Sequence, residues 1–184
     1  NYWRSNSDSE VALECISKYG FYNAIKKLNG MFAIAAYCVS KKTLWLARDR
    51  FGEKPLYYNY DTTYGFTFAS ELRAFSYFPN FKKQVCQNAL AQYLRYGYVP
   101  EPLSIFKKTY KLEPGYIIKF DKKNKILKKD YWDSVKSFVN AKKNKFKGTF
   151  EDAKEKVKSH IDDSIRNRLV SDVPLGIFLS GGID

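Results

Sequence analysis

The sequence predicts an α+β fold in which short antiparallel strands are packed with helices, followed by the first helix and strand of an α/β nucleotide-binding unit. Three observations carry this prediction. Two short stretches of helical apolar period lead into an uninterrupted apolar run, Met31 to Val39. Aromatic-rich segments of strand length then follow one another through short polar turns as far as Ala69. Near the other end, a long amphipathic helical pattern feeds Pro174 and the run Leu175-Gly176-Ile177-Phe178-Leu179, which ends in Ser180-Gly181-Gly182.

Composition bounds what the chain can be. Its 184 residues, 45% hydrophobic, suffice to bury one good core and the start of a second. The net charge of +13 is unevenly spread: from Lys119 to Lys147 there are eleven lysines against three aspartates and no arginine. Base-reading and bidentate phosphate surfaces favour arginine, so this stretch reads as a solvated surface rather than a nucleic-acid interface. Cys15, Cys38 and Cys86 are odd in number and lack Cys-x-x-Cys spacing. That argues against a disulfide framework or a zinc site and predicts a reducing cytoplasm. No apolar run approaches the ~18 residues of a membrane span, so a soluble protein is expected. The chain opens on Asn1 and stops at Asp184 directly after its glycines. It reads as a piece of a longer protein at both ends.

Taken in order, Ser7 and Glu10 have capping-box spacing, and Val11, Ala12, Cys15, Ile16 and Tyr19 continue a helix that Gly20 stops. Phe21, Ala24, Ile25 and Leu28 give a second, shorter helix closed by Asn29-Gly30. The run from Met31 to Val39 lacks polar alternation and predicts a central strand buried on both faces. Strands are expected at 43–48, 56–60 and 64–69, with chain neighbours antiparallel. Between the first two of these, Arg48-Asp49-Arg50-Phe51-Gly52-Glu53-Lys54-Pro55 is by itself a salt-bridged surface turn. A short helix to Phe75, a helix over 89–96 capped by Asn88, and strands at 116–120 and 126–132 complete this domain. Residues 1–132 are therefore assigned to the first domain and the lysine-rich 133–148 to a linker. Residues 149–184 begin a second domain. Thr149 with Asp152 starts its helix, whose stripe Ala153, Val157, Ile161, Ile165 and Leu169 should pack on a new core. The strand to Leu179 and the Ser-Gly-Gly loop would place backbone N–H groups around an anion.

This ordered set of motifs resembles the glutamine-hydrolysing asparagine synthetases. The matching stretches are Ser7-Asp8-Ser9-Glu10, Leu28-Asn29-Gly30-Met31-Phe32-Ala33, Ala47 to Gly52, Lys54-Pro55-Leu56-Tyr57-Tyr58, Phe68-Ala69-Ser70-Glu71, Pro114-Gly115, Tyr131-Trp132 and Ser171 to Asp184. The resemblance implies a glutaminase domain of the N-terminal-nucleophile type, an αββα sandwich of antiparallel sheets that is incomplete here, followed by the start of the ATP-binding synthetase domain. It implies that an N-terminal cysteine releases ammonia from glutamine. The ammonia crosses a tunnel to an aspartyl-adenylate formed from ATP, giving asparagine, glutamate, AMP and pyrophosphate. ATP and Mg2+ would serve the second site. Glutamine, aspartate and ATP would be the partners, with neither nucleic acid nor membrane, and a homodimer is the assembly considered at full length.

Carried over residue by residue, Ser180, Gly181, Gly182 and Asp184 match the family's phosphate-gripping loop, with Asp184 helping to hold magnesium and Leu179 beside the nucleotide. Asp8 matches the aspartate that binds the α-ammonium of glutamine, although Ser9 replaces a threonine. Its plainer reading is a carboxylate in a first helical turn. Met31 is a tunnel candidate, against the reading of a core methionine. Glu113 and Tyr116 depart from the proline and histidine frequent in the family. None of the three cysteines matches the nucleophile; that residue, the oxyanion-hole Asn-Gly and the glutamine-binding arginine would precede Asn1, so the piece alone should be inactive. His160, the single histidine, reads as a helix-surface residue. Two alternatives stand beside this: a homologous ligase with another acceptor carboxylate, such as a surface-glycan sugar acid or a β-lactam precursor, and a basic nucleic-acid-binding module.

Overall fold

The computed structural model describes residues 3–61, 65–79, 81–123 and 125–182. Its elements run α1 (Asp8–Tyr19), α2 (Phe21–Lys27), β1 (Ala33–Cys38), β2 (Thr43–Arg48), β3 (Tyr57–Asp61), β4 (Gly65–Ala69), a 3-10 helix (Leu72–Tyr77), α3 (Gln87–Tyr96), β5 (Thr109–Lys111), β6 (Tyr116–Phe120), β7 (Ile126–Asp130), α4 (Ser134–Lys143) and α5 (Phe150–Arg168). The chain divides into two compact units, Asn1–Ser137 and Phe138–Asp184, the division falling inside α4.

The first unit is built on two antiparallel sheets, ordered β1-β2-β6-β7 and β4-β3-β5. Strand alternation sorts the side chains of the larger sheet between two cores. Ala47 and Ile117 point to one face, where Phe21, Ile25, Leu28 and Ile16 of the helical pair cover them. There Phe21 stacks on Trp45 with ring centroids 5.3 Å apart. Leu46 and Ile118 point to the other face and pack with Leu56, Tyr58 and Phe66, which belong to the smaller sheet or lead into it. Phe120 closes this seam against Phe66 at 5.0 Å and Tyr60 at 5.9 Å. The arrangement is thus a helical layer on two stacked antiparallel sheets, as the α+β reading requires. The 3-10 helix buries Phe75 among Phe78 and Phe81.

Several elements differ from the sequence expectation. β1 is an edge strand rather than a central one. Ile34 and Ala36 are covered by the helical pair, while Ala35 and Tyr37 on the opposite face stand open, Tyr37 being 60% exposed. An apolar run signals what could be buried, whereas two-sided burial needs cover on both faces. The chain neighbours β2 and β3 do not pair, because the loop 49–56 carries the chain from one sheet to the other. α3 begins at Gln87 behind Cys86, so Asn88 lies inside the helix instead of capping it. β7 ends at Asp130, and Tyr131 turns into the core, where its hydroxyl donates to the Arg48 carbonyl at 2.9 Å. β5 was not foreseen; its three residues show no period long enough to read.

The expected linker contains α4. Its apolar Val135, Phe138 and Val139 have helical spacing but remain exposed, and Asp133 Oδ1 accepts from Lys136 N at 2.8 Å to start the turn. In the second unit, Thr149 and Asp152 form the expected capping box at the head of α5. The stripe Val157, Ile161, Ile165 and Leu169 is about half exposed, so no core covers it among the described residues. The expected strand up to Leu179 is not formed: residues 174–180 adopt no regular secondary structure, and Phe178 and Leu179 are exposed. A strand exists only through a neighbour's ladder, and none of the described residues supplies one.

Candidate functional site

At the start of α1, Ser7 is the N-cap, with φ −83° and ψ 136°, and its hydroxyl accepts the Ser9 N–H at 3.2 Å. Glu10 does not close a capping box. Its carboxylate reaches further back, accepting from the N–H groups of Arg4 at 2.9 Å and Ser5 at 2.7 Å and from the Ser5 hydroxyl at 2.6 Å. Those bonds, led by the one from the Ser5 side chain, hold its pKa below the ordinary glutamate value. Asp8 is left exposed on the first helical turn, and its hydrogen bond among the described residues comes from the Ser9 hydroxyl at 3.4 Å. The sequence offers two carboxylates here, and the structure commits Glu10 to the backbone while leaving Asp8 open to a cationic group.

The segment Asn29-Gly30-Met31 connects α2 to β1, and Met31 is 42% exposed. Beside it lies the Arg48–Pro55 loop, which is not a salt-bridged surface turn. Asp49 is 1% exposed, and its carboxylate accepts four backbone N–H groups: Phe32 at 3.3 Å, Phe51 at 3.1 Å, and Glu53 and Lys54 at 3.0 Å. Buried Arg48 donates to the carbonyls of Lys54, Gly52 and Leu112 at 2.8, 2.6 and 2.7 Å and pairs with Glu101 at 3.2 Å. Arg50 donates to the carbonyls of Leu28 at 2.9 Å and Lys26 at 3.0 Å, placing its charge at the negative end of α2. Arg48, Asp49 and Arg50 thus turn mainly on backbone groups, and the ion pair of Arg48 is with Glu101 outside the loop.

Glu113 and Tyr116, the two departures from the family pattern, meet at a single partner. Lys128 of β7 pairs with the Glu113 carboxylate and lies over the Tyr116 ring, 5.2 Å from its centroid. The second Glu113 oxygen is buried without a partner among the described residues. A separate cleft of about 440 Å³, lined by Tyr58, Tyr60, Asp61, Lys108, Tyr110 and Ile126, contains none of the candidate site residues. Burial, with Glu113 and Tyr110 nearby, pushes the Tyr58 hydroxyl up to about 12. Only Tyr58 of this lining falls in a matching motif, because the cleft residues come from three separate segments.

In the second unit, Ser180-Gly181-Gly182 forms an exposed turn in which the Ser180 hydroxyl accepts the Gly182 N–H at 3.3 Å. A Cβ on Gly181 would meet nothing within 4 Å, so the turn stands in open space. Leu179 precedes it, fully exposed. Asp184 lies outside the described residues. Asp8 and Met31 belong to the first unit and Leu179 to Gly182 to the second. Among the described residues no group of three or more His, Cys, Asp or Glu side chains could hold a metal ion. His160 lies on the exposed surface of α5, as expected, and all three cysteines are free. Cys38 Sγ lies 3.5 Å from the Ser40 hydroxyl, and that contact, with the Lys41 backbone, lowers its pKa.

A family model described as a glutamine amidotransferase domain matches residues 1–132, well over half of the chain. The chain belongs to the glutamine amidotransferase domain family. Directly after this domain, residues 156–184 match the asparagine synthase family model. Among individual relatives, a putative glutamine-hydrolysing asparagine synthetase 2 of Methanocaldococcus jannaschii is 36% identical over 98% of this chain and 34% of its own length. Asparagine synthetases 1 and 3 of Bacillus subtilis are 35% and 32% identical, over 99% and 97% of this chain and 27% and 28% of theirs. The chain thus spans about a third or less of the curated relatives it matches. A solved glutamine phosphoribosylpyrophosphate amidotransferase of B. subtilis aligns with 72% of this chain and 24% of its own, at 18% identity and a TM-score of 0.48.

Proposed function

We propose that this chain is part of a glutamine-hydrolysing asparagine synthetase, supplying most of its glutaminase domain and the first residues of its ATP-binding domain. The observation that carries the reading is the order of two family matches on one chain, an amidotransferase domain followed by the opening of an asparagine synthase. Residues 1–132 are the glutaminase domain, of the N-terminal-nucleophile type to which the stacked antiparallel sheets conform. Residues 133–148 connect it to the synthetase part beginning at 149, with α4 inside the connection. The nucleophile is an N-terminal cysteine distinct from Cys15, Cys38 and Cys86. Glutamine, aspartate and ATP are the substrates, the cytoplasm is the compartment, and the full-length protein is a homodimer. No described helix is long and apolar enough to cross a membrane.

In this scheme Asp8 binds the α-ammonium of glutamine. A carboxylate at the head of α1, not engaged by the backbone, pairs with that cation while Glu10 fixes the chain before it. Ammonia must reach its acceptor without meeting water or a proton, and the aspartate carboxylate must first gain a good leaving group. Ser180, Gly181 and Gly182 hold the ATP phosphates with Leu179 beside the nucleotide, a role to which the open turn is suited. Asp184 would hold Mg2+ together with phosphate oxygens, and the ion would supply charge neutralisation as pyrophosphate departs.

The test uses the full-length protein and both nitrogen sources. Asp8→Asn keeps the size of the side chain but removes its charge. A charged hydrogen bond contributes about 1.5–3 kcal/mol, so glutamine-dependent synthesis should fall roughly ten- to a hundredfold, mainly through KM. Synthesis from added ammonia should stay near wild type. Equal losses with both sources, or no loss with either, would remove Asp8 from the glutamine site. Failure of wild-type protein to form asparagine from aspartate, ATP and glutamine would overturn the reading as a whole.

A further inference from the structure

We infer that Asp49 and Arg50 are positioning residues that clamp the Asn29-Gly30-Met31 segment from both ends and so set how much of the released ammonia reaches the second site. The inference rests on the reading that Met31 lines the ammonia path. Its geometric basis is independent of that reading. At the leading end, Arg50 binds the carbonyls of Lys26 and Leu28, the last residues before the segment, at 3.0 and 2.9 Å. At the trailing end, Asp49 engages Phe32 twice: its N–H donates to the Phe32 carbonyl at 2.9 Å, and its carboxylate accepts the Phe32 N–H at 3.3 Å. Two consecutive residues thus fix both flanks of a three-residue bridge.

Leu28 and Phe32 on either side also pack on the core of Phe21 and Ile25, but the three bridge residues themselves have little cover. Met31 is 42% exposed, Asn29 is exposed, and a Cβ on Gly30, whose φ is +139°, would meet nothing within 4 Å. A side chain buried in a core is fixed by its neighbours, whereas Met31 is fixed through its backbone ends. The two jaws are themselves rigid in different degrees. Asp49 is buried and also anchors Phe51, Glu53 and Lys54, while the hydrogen bonds of half-buried Arg50 among the described residues go to the end of α2. Arg50 is therefore the jaw that can be loosened without dismantling the loop.

The experiment measures asparagine formed per glutamate released in the full-length protein, together with ammonia-driven synthesis and melting temperature. Arg50→Met keeps the aliphatic stem and removes both donors. The ratio should fall about threefold or more, with glutamine hydrolysis and ammonia-driven synthesis each within about twofold of wild type. Should Arg50→Met be insoluble, Arg50→Lys, with a single donor nitrogen in place of the two-nitrogen fork, is read in the same way and should lower the same ratio. A Met31→Trp control separates the two claims. If Met31→Trp changes the ratio and the Arg50 variant does not, the clamp is wrong and the tunnel reading stands. If neither changes it, the tunnel reading falls and takes the inference with it. A loss of hydrolysis, ammonia-driven synthesis and melting temperature together, at constant ratio, would reduce Arg50 to a structural residue and overturn the proposal.

Discussion

Asp49→Asn should destabilise the amidotransferase domain far more than the removal of a surface charge. In the wild type, one carboxylate oxygen accepts from Phe51 and Glu53 and the other from Phe32 and Lys54. Asparagine puts an NH2 group where one oxygen stood, so two N–H groups lose their acceptor and face a donor. With about 1.5–3 kcal/mol for each charge-assisted bond, the loss is roughly 3–6 kcal/mol. Set against a total of about 5–15 kcal/mol for a typical domain, the variant would be close to unfolding. If the loop were instead an exposed charge cluster balanced by Arg48 and Arg50, neutralising Asp49 would cost at most about 1 kcal/mol. Amide exchange of the full-length protein, read on peptides spanning Phe32 and residues 49–56, distinguishes the two. Protection there should drop about a hundredfold or more. A change smaller than about tenfold would refute the assignment of the carboxylate as the acceptor of four buried N–H groups.

Two further predictions concern single positions. Gly115 has φ +73°, donates to the Asp49 carbonyl at 2.9 Å and accepts from Tyr131, and a Cβ there would overlap the Trp132 carbonyl, with its carbon only 3.2 Å away. Gly115→Ala should cost about 2–4 kcal/mol, measured as a lowered melting temperature, and an unchanged melting temperature would remove the steric argument. Asp152 has a pKa lowered from 3.8, chiefly by the Thr149 side chain and then its backbone. A depressed carboxylate contributes stability above its unfolded value and loses it as pH falls through the folded one. The first turn of α5 should therefore keep its amide protection from neutral pH down to about 4 and lose it below, a dependence absent in Asp152→Asn.

Much of the local order was legible because it depends on short-range chemistry. The bounds of β2 and β6 follow from apolar and aromatic runs between turns, and the Thr149–Asp152 capping box forms as its spacing requires. α1 and α2 follow from helical period and the stop at Gly20. The amidotransferase family was legible too, since its motifs are short and ordered along the chain. Asp8 is singled out by the same motifs, while the Ser7–Glu10 spacing around it promised a box that does not form.

What only the tertiary structure decided depends on partners distant in sequence. β1 is an edge strand because sheet order is set by pairing between β2 and β6, some seventy residues apart, and no local period reports that. The apolar residues before Ser180 form no strand for the same reason: an apolar run is a strand only where another supplies its ladder. The Arg48–Pro55 loop is the sharpest case. Its alternating charges look like mutual salt bridges when read along the chain. In the fold, Arg48, Asp49 and Arg50 are turned mainly on backbone groups from Lys26 to Leu112, because burial makes an unpaired N–H or carbonyl costlier than an unpaired surface charge.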